Sequence, residues 1–239
     1  MLKLIVLDII GTTISDSQEI EACIAQACRE NGLDVSIEEI LQVRGYAKKQ
    51  IFERLWKSKL GEANPSIAQK VEDSYATFQR ILTNYYENAL IKPTEGAVEL
   101  FEFCKQLGIK VALTTGLCRR ITELVLKKSG WLKSLNEQKT ALEPSALIST
   151  YISSDEVPQG RPAPDLVFRA MEILDIDDPK TVAVVGDAPS DLLCGKNANA
   201  LITIGVTSGA HSREELSQHP HDYLVSSLKA LPAILFSYL

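Results

Sequence analysis

A doubly wound, Rossmann-like α/β fold carrying an inserted helical block is predicted by three features of this 239-residue chain. The first is an apolar run, Leu4-Ile5-Val6-Leu7, that ends in Asp8 and breaks into Gly11-Thr12-Thr13; this is a buried strand followed by a turn. The second is the stretch 17–89, which reads as helix throughout. The third is the alternation of helix and strand from Pro93 onward, the pattern of a parallel sheet with helices on both faces.

The elements follow in order. Asp16 or Ser17 can cap a first helix whose apolar face is Ile20, Ile24, Ala27 and Cys28, and Gly32 stops it. Ser36-Ile37-Glu38-Glu39 is a capping box for a short second helix. After Gly45, a third helix carries Ile51, Phe52, Leu55 and Trp56. Gly61 and Pro65 break the chain. A long fourth helix then shows Ile67, Val71, Tyr75, Phe78, Leu82 and Tyr85 at helical spacing, a bundle stripe. From there the order is helix 95–107, strand Ile109–Thr114, a further helix, and strand Leu147–Ser153. Helix 164–174, strand Thr181–Gly186, helix 190–197, strand Leu201–Gly205, edge strand Tyr223–Val225 and a last helix complete the chain. The expected division is a core, 1–15 and 92–239, and a helical cap, 16–91.

Composition narrows the function. Hydrophobic residues make up 45% and the net charge is −6. A sizeable core is expected, and with no basic block a nucleic-acid binder is not. No apolar run is long enough to span a bilayer and no signal peptide is evident, so a cytoplasmic protein is expected. The five cysteines form no Cys-x-x-Cys pair, and Cys118, just past a strand end, is the one conceivable reactive thiol. His211, His219 and His221 show no ligand spacing.

Four core segments place polar residues at predicted strand ends. These are Asp8, Thr114-Thr115-Gly116, Gly160-Arg161-Pro162 and Gly186-Asp187-Ala188-Pro189-Ser190-Asp191. In a doubly wound sheet such ends converge on one crevice. Three carboxylates there call for a cation, and hard oxygen ligands select Mg²⁺. A hydroxyl, a backbone N–H and a guanidinium can hold phosphoryl oxygens. A shielded aspartate facing such a cradle is a candidate nucleophile. Singly, each has a plainer reading as a turn, a helix cap or a surface ion pair; all four in order do not.

With these motifs the chain resembles the haloacid dehalogenase superfamily, and the helical block resembles its C1-type cap. The resemblance implies that Asp8 is the nucleophile. It implies a Mg²⁺ site of Asp8, the carbonyl of Ile10, Asp187 and Asp191. It also implies that Thr12, Thr115, Gly116 and Arg161 bind phosphate, and that a homodimer can form through cap helices.

Most phosphatases of that superfamily carry an acid two residues after the nucleophile, where this chain has Ile10. Such an acid–base group is worth about 10²–10⁴ in rate. Phosphonatases, which cleave carbon–phosphorus bonds, carry a small apolar residue there and use a cap lysine that forms an imine with an aldehyde. Gly45-Tyr46-Ala47-Lys48 resembles their lysine motif, and Gly160-Arg161-Pro162 and Gly205–Ala210 resemble the same branch. The departures are Ile10 in place of alanine, Arg44 in place of methionine and Ile51 in place of histidine.

The resemblance therefore implies a phosphonatase-like hydrolase, with phosphonoacetaldehyde the leading substrate. Lys48 is its imine-forming lysine, and Arg44, Gly45 and Tyr46 its substrate loop. The alternatives are a phosphomonoesterase resembling phosphoglycolate phosphatase and a non-catalytic phospho-ligand-binding protein. Lys48, next to Lys49, also has the plain reading of a solvated surface charge.

Overall fold

The computed structural model describes residues 1–43, 46–142 and 146–239. The fold divides into two compact units, Met1–Asp16 with Ile91–Leu239, and Ser17–Leu90.

The first unit holds a six-stranded, all-parallel sheet. Its strands are β1 (Leu4–Asp8), β2 (Lys110–Thr114), β3 (Thr150–Ile152), β4 (Val182–Gly186), β5 (Ile202–Val206) and β6 (Tyr223–Val225). Their spatial order is β3-β2-β1-β4-β5-β6, with every pair parallel. All five residues of β1 are buried, as a strand covered on both faces requires. The chain winds outward from β1 to β3, then crosses to β4 on the other side. The order reverses between β1 and β4, which is where a doubly wound sheet opens a crevice at its C-terminal edge.

Alternate strand residues serve the two faces. Leu4, Val6, Ala112, Ile152, Val182 and Val184 share one cluster with Leu166, Val167, Ala170 and Met171 of α7 (Asp165–Ile173). α5 (Ala97–Gln106) packs on β2. α6 (Arg119–Ser129) follows β2, and α8 (Pro189–Asn197) packs on β4 and β5. The expected strand 147–153 is confined to Thr150–Ile152, the segment that pairs with β2.

Beyond Asp8 the chain makes one tight turn. The amides of Thr13 and Ile14 both donate to the Ile9 carbonyl, and Gly11 N–H donates to Ile14 O. Ile9 is thereby buried and Ile10 half-buried. The next residues run antiparallel to 92–94: Ser15 N–H donates to Lys92 O and Thr94 N–H to Thr13 O.

The second unit is a helical bundle of α1 (Glu19–Glu30), α2 (Ile37–Gln42), α3 (Lys48–Leu60) and α4 (Ile67–Asn88). α1 and α3 both pack on α4. Burial of Ile24, Ala27, Cys28, Phe52, Trp56, Phe78 and Leu82 supplies the core. Ser74, fully buried, is satisfied by Trp56 Nε1–H at 3.0 Å, as a buried hydroxyl requires. The Ser36–Glu39 capping box forms on α2.

Two local expectations are corrected. α1 is preceded not by a capping side chain but by Gln18 in the left-handed region, and Ser17 instead donates its N–H to Glu19. The end of the α4 stripe turns inward at Tyr86 rather than Tyr85, because the Tyr86 hydroxyl reaches the buried Glu19 carboxylate at 2.8 Å. Among the described residues no helix is long and apolar enough to cross a membrane.

Candidate active site

The crevice at the C-terminal edge of the sheet gathers Asp8, Asp187 and Asp191, one oxygen from each lying within 4.8 Å of the others. All three are buried. Asp8 ends β1. Asp187 directly follows β4, and Asp191 lies in the first turn of α8. The Asp191 Oδ2 accepts the Ala188 N–H at 3.0 Å, so it caps its own helix with one oxygen. Arg161, from the loop before α7, reaches Asp8 Oδ1 at 2.6 Å and also pairs with Asp191 Oδ1.

Asp187 is held by contacts to both its carboxylate and its backbone. Thr12 Oγ1 donates to its Oδ1 at 3.0 Å. Ala210 N–H donates to its Oδ2 at 2.6 Å. The His211 ring lies with Nδ1 3.1 Å from its backbone carbonyl. Burial, and then the charge of Asp8, raises its carboxyl to about 7. Two glycines make the approach possible. A Cβ on Gly11, which sits at φ +92°, would run into the Asp187 carboxylate, and one on Gly209 would meet both that carboxylate and the Gly11 carbonyl.

Thr115 and Gly116 stand beside this cluster at the end of β2. Thr115 is buried, and its Oγ1 accepts the Leu117 N–H at 3.1 Å. The space where a Gly116 Cβ would sit is 3.9 Å from Arg161 Nη2. Asp8, Thr12, Thr115, Gly116, Arg161, Asp187 and Asp191 thus belong to one edge of one sheet. Among the described residues, three carboxylates converge on one point beside the Arg161 guanidinium. A small divalent cation with a preference for oxygen fits that carboxylate cluster.

The described residues of the helical unit hold the remaining candidates. Lys48 is the first residue of α3 and is half-buried. Lys49 is exposed and pairs with Glu72 on the bundle surface, so the two adjacent lysines differ in burial. The N-terminus of a helix is an unfavourable place for a cation. Tyr46 stacks under the Arg54 guanidinium, 4.0 Å from its ring centre. Ile51 is buried in the bundle core. Arg44 and Gly45 lie outside the described residues.

Sequence reasoning missed the 209–211 segment as part of the Asp187 setting. Gly205–Ala210 stood out by resemblance alone, because backbone donors carry no side-chain signature. It also read Thr12 as a phosphate ligand, whereas its hydroxyl is directed to Asp187. Cys118 is buried, as are the other four cysteines.

The model of the haloacid dehalogenase-like hydrolases matches residues 2–199. The chain belongs to that family of hydrolases. Among its relatives, the phosphonoacetaldehyde hydrolase of Latilactobacillus sakei is 26% identical over 99% of this chain and 96% of its own length. The crystal structure of a phosphonoacetaldehyde hydrolase-like protein from Oleispira antarctica superposes with a TM-score of 0.79. It is 19% identical, covering 99% of this chain and 92% of that one. A predicted phosphoglycolate phosphatase from Haemophilus somnus gives a TM-score of 0.73 at 16% identity, covering 98% of both chains. At those identities the two structures speak for the fold.

Proposed function

We propose that this hydrolase cleaves the carbon–phosphorus bond of a small phosphonate aldehyde, phosphonoacetaldehyde foremost, through an imine on Lys48 and phosphoryl transfer to Asp8. The observation that carries the reading is the pairing of a buried, guanidinium-bound Asp8 with a half-buried isoleucine at position 10. The nucleophile has its electrostatic partners, yet the residue placed to protonate an alkoxide has no proton to give. A leaving group stabilised as an enamine needs none. The name of the Latilactobacillus relative supports the same chemistry.

In this reading the Lys48 amine adds to the aldehyde with loss of water, giving a protonated imine. An Asp8 oxygen attacks phosphorus, the carbon–phosphorus bond breaks, and its electron pair enters the imine to form an enamine. Protonation of that enamine at carbon and addition of water release acetaldehyde and restore the amine. A second water cleaves the acyl phosphate and frees phosphate. Thr115, the Gly116 N–H and Arg161 hold phosphoryl oxygens, and Thr12 orients Asp187. Asp8, Asp187, Asp191 and the Ile10 carbonyl would hold Mg²⁺, which supplies charge compensation between the carboxylates and the phosphoryl group.

The second reading, a phosphomonoesterase, is favoured by Ile51: a side chain sealed in the bundle core cannot move protons during imine chemistry. Phosphate release with magnesium separates the two. Release from phosphonoacetaldehyde, abolished by both Asp8→Asn and Lys48→Arg, supports carbon–phosphorus cleavage. Release from phosphoglycolate alone, lost in Asp8→Asn and unaffected by Lys48→Arg, overturns it. Magnesium-dependent phosphate binding without turnover of either compound overturns both in favour of a non-catalytic binder.

A further inference from the structure

Directly after β3, a 3-10 turn at Ser154–Glu156 is fastened to the loop that carries Thr115 and Gly116. Ser154 makes three contacts to it. Its N–H donates to Leu117 O at 3.0 Å. Its hydroxyl lies 3.1 Å from the carbonyls of both Gly116 and Leu117. The next residue, Asp155, accepts the Arg119 N–H at 2.9 Å, at the start of α6.

One peptide plane is held at both ends by these contacts. The Gly116 carbonyl accepts from Ser154 Oγ, and the N–H of the same peptide, that of Leu117, donates to Thr115 Oγ1. A threonine hydroxyl has one proton and two lone pairs. Once Thr115 Oγ1 accepts from Leu117, the rotation of its own O–H is constrained, and the proton must be directed elsewhere. The Ser154 hydroxyl therefore sets, through one rigid peptide unit, where the Thr115 donor points.

The turn that carries Ser154 is itself anchored. Glu156 Oε2 accepts the Ser153 N–H at 2.9 Å, and its Oε1 pairs with the buried Lys139. Lys139 Nζ lies 4.3 Å from the centre of the Tyr151 ring. The Tyr151 hydroxyl donates to Glu123 at 2.7 Å, and Glu123 also receives Arg119 Nε. Turn, strand end and the start of α6 form one connected network around the loop.

We propose that Ser154 is a positioning residue for phosphoryl recognition, fixing the Gly116–Leu117 peptide so that the Thr115 hydroxyl faces the phosphoryl oxygens. This rests on the phosphoryl-binding reading of the same loop.

The test is calorimetric binding of inorganic phosphate in saturating magnesium, alongside the thermal midpoint. The variants are Ser154→Ala, Ser154→Thr and Asp155→Asn. Losing one orienting hydrogen bond predicts about tenfold weaker phosphate binding in Ser154→Ala. Ser154→Thr, which keeps the hydroxyl, restores binding. Asp155→Asn weakens the neighbouring cap with at most a minor effect on phosphate. Parental phosphate affinity in Ser154→Ala, or equal weakening in Asp155→Asn, overturns the positioning role while leaving the site assignment standing. Failure of the parent protein to bind phosphate overturns the site assignment, and the positioning role with it.

Discussion

In the absence of a divalent cation the protein's stability should fall as pH rises, through Asp187. Its carboxyl is raised to about 7 in the fold, from an ordinary value of 3.8, by burial first and the charge of Asp8 second. A carboxyl raised in this way binds its proton more tightly in the folded protein than in the unfolded chain. Its stabilisation is therefore complete below the unfolded value and is lost as pH climbs through the folded one. The window runs from about pH 4 to about pH 7. The full span corresponds to at most on the order of 4 kcal/mol. For a chain of this size that is on the order of 10 °C in the thermal midpoint.

The assay is thermal unfolding with chelator and with magnesium, across that window, for the parent and for Asp187→Asn. The asparagine can still accept from Ala210 N–H while its amide donates to Thr12, so the local shape is kept. In chelator the parent loses stability with pH and the variant does not. Magnesium restores the parent at neutral pH and has little effect on the variant. Parallel pH profiles for the two proteins in chelator, or an equal magnesium response, would refute the argument.

Three further outcomes follow from named contacts. Ile10→Asp supplies the missing acid beside Asp8 and should raise phosphate-monoester turnover by about 10²-fold or more; no gain in steady-state rate would show that position 10 does not face the leaving group. Gly209→Ala forces a methyl group against Asp187 and the Gly11 carbonyl. It should cost about 1–3 kcal/mol in denaturant unfolding, and an unchanged unfolding midpoint would mean that the close approach is absent. Thr12→Val removes the hydroxyl bonded to the buried Asp187; magnesium affinity by calorimetry should drop by roughly tenfold, and parental affinity would assign Asp187's orientation to Ala210 alone.

Much of the core was legible because its signals are local. β1 reads as a central strand since Leu4–Leu7 leaves no polar position for a solvated face. The crevice follows from where the strands end, so Asp8, Thr115 and Asp187 could be gathered before any distance was known. Arg161 was legible as a cation near a helix start, but its double contact to Asp8 and Asp191 was not. Side-chain type fixes charge, whereas the partner depends on how three separate loops are folded.

The contacts that escaped the sequence are long-range or made by the backbone. Thr12 and Asp187 are 175 residues apart. Ala210 contributes an N–H that any residue other than proline would supply. In the helical unit, Tyr85 and Tyr86 are equally apolar neighbours. What decided between them was a buried Glu19 on another helix, which the Tyr86 hydroxyl reaches at 2.8 Å. The hydroxyl of Ser154 is equally silent in sequence, because its role depends on two carbonyls turned toward it from the adjacent strand end.

The central claim, that Lys48 forms an imine with the aldehyde whose phosphoryl group Asp8 receives, is tested most directly by borohydride trapping. Protein mixed with phosphonoacetaldehyde is reduced, weighed intact and mapped by peptide mass. The account predicts a reduced adduct on Lys48 in the parent and in Asp8→Asn, and none in Lys48→Arg. A parent that turns the substrate over without an adduct, or a Lys48→Arg variant modified as fully as the parent, would contradict it.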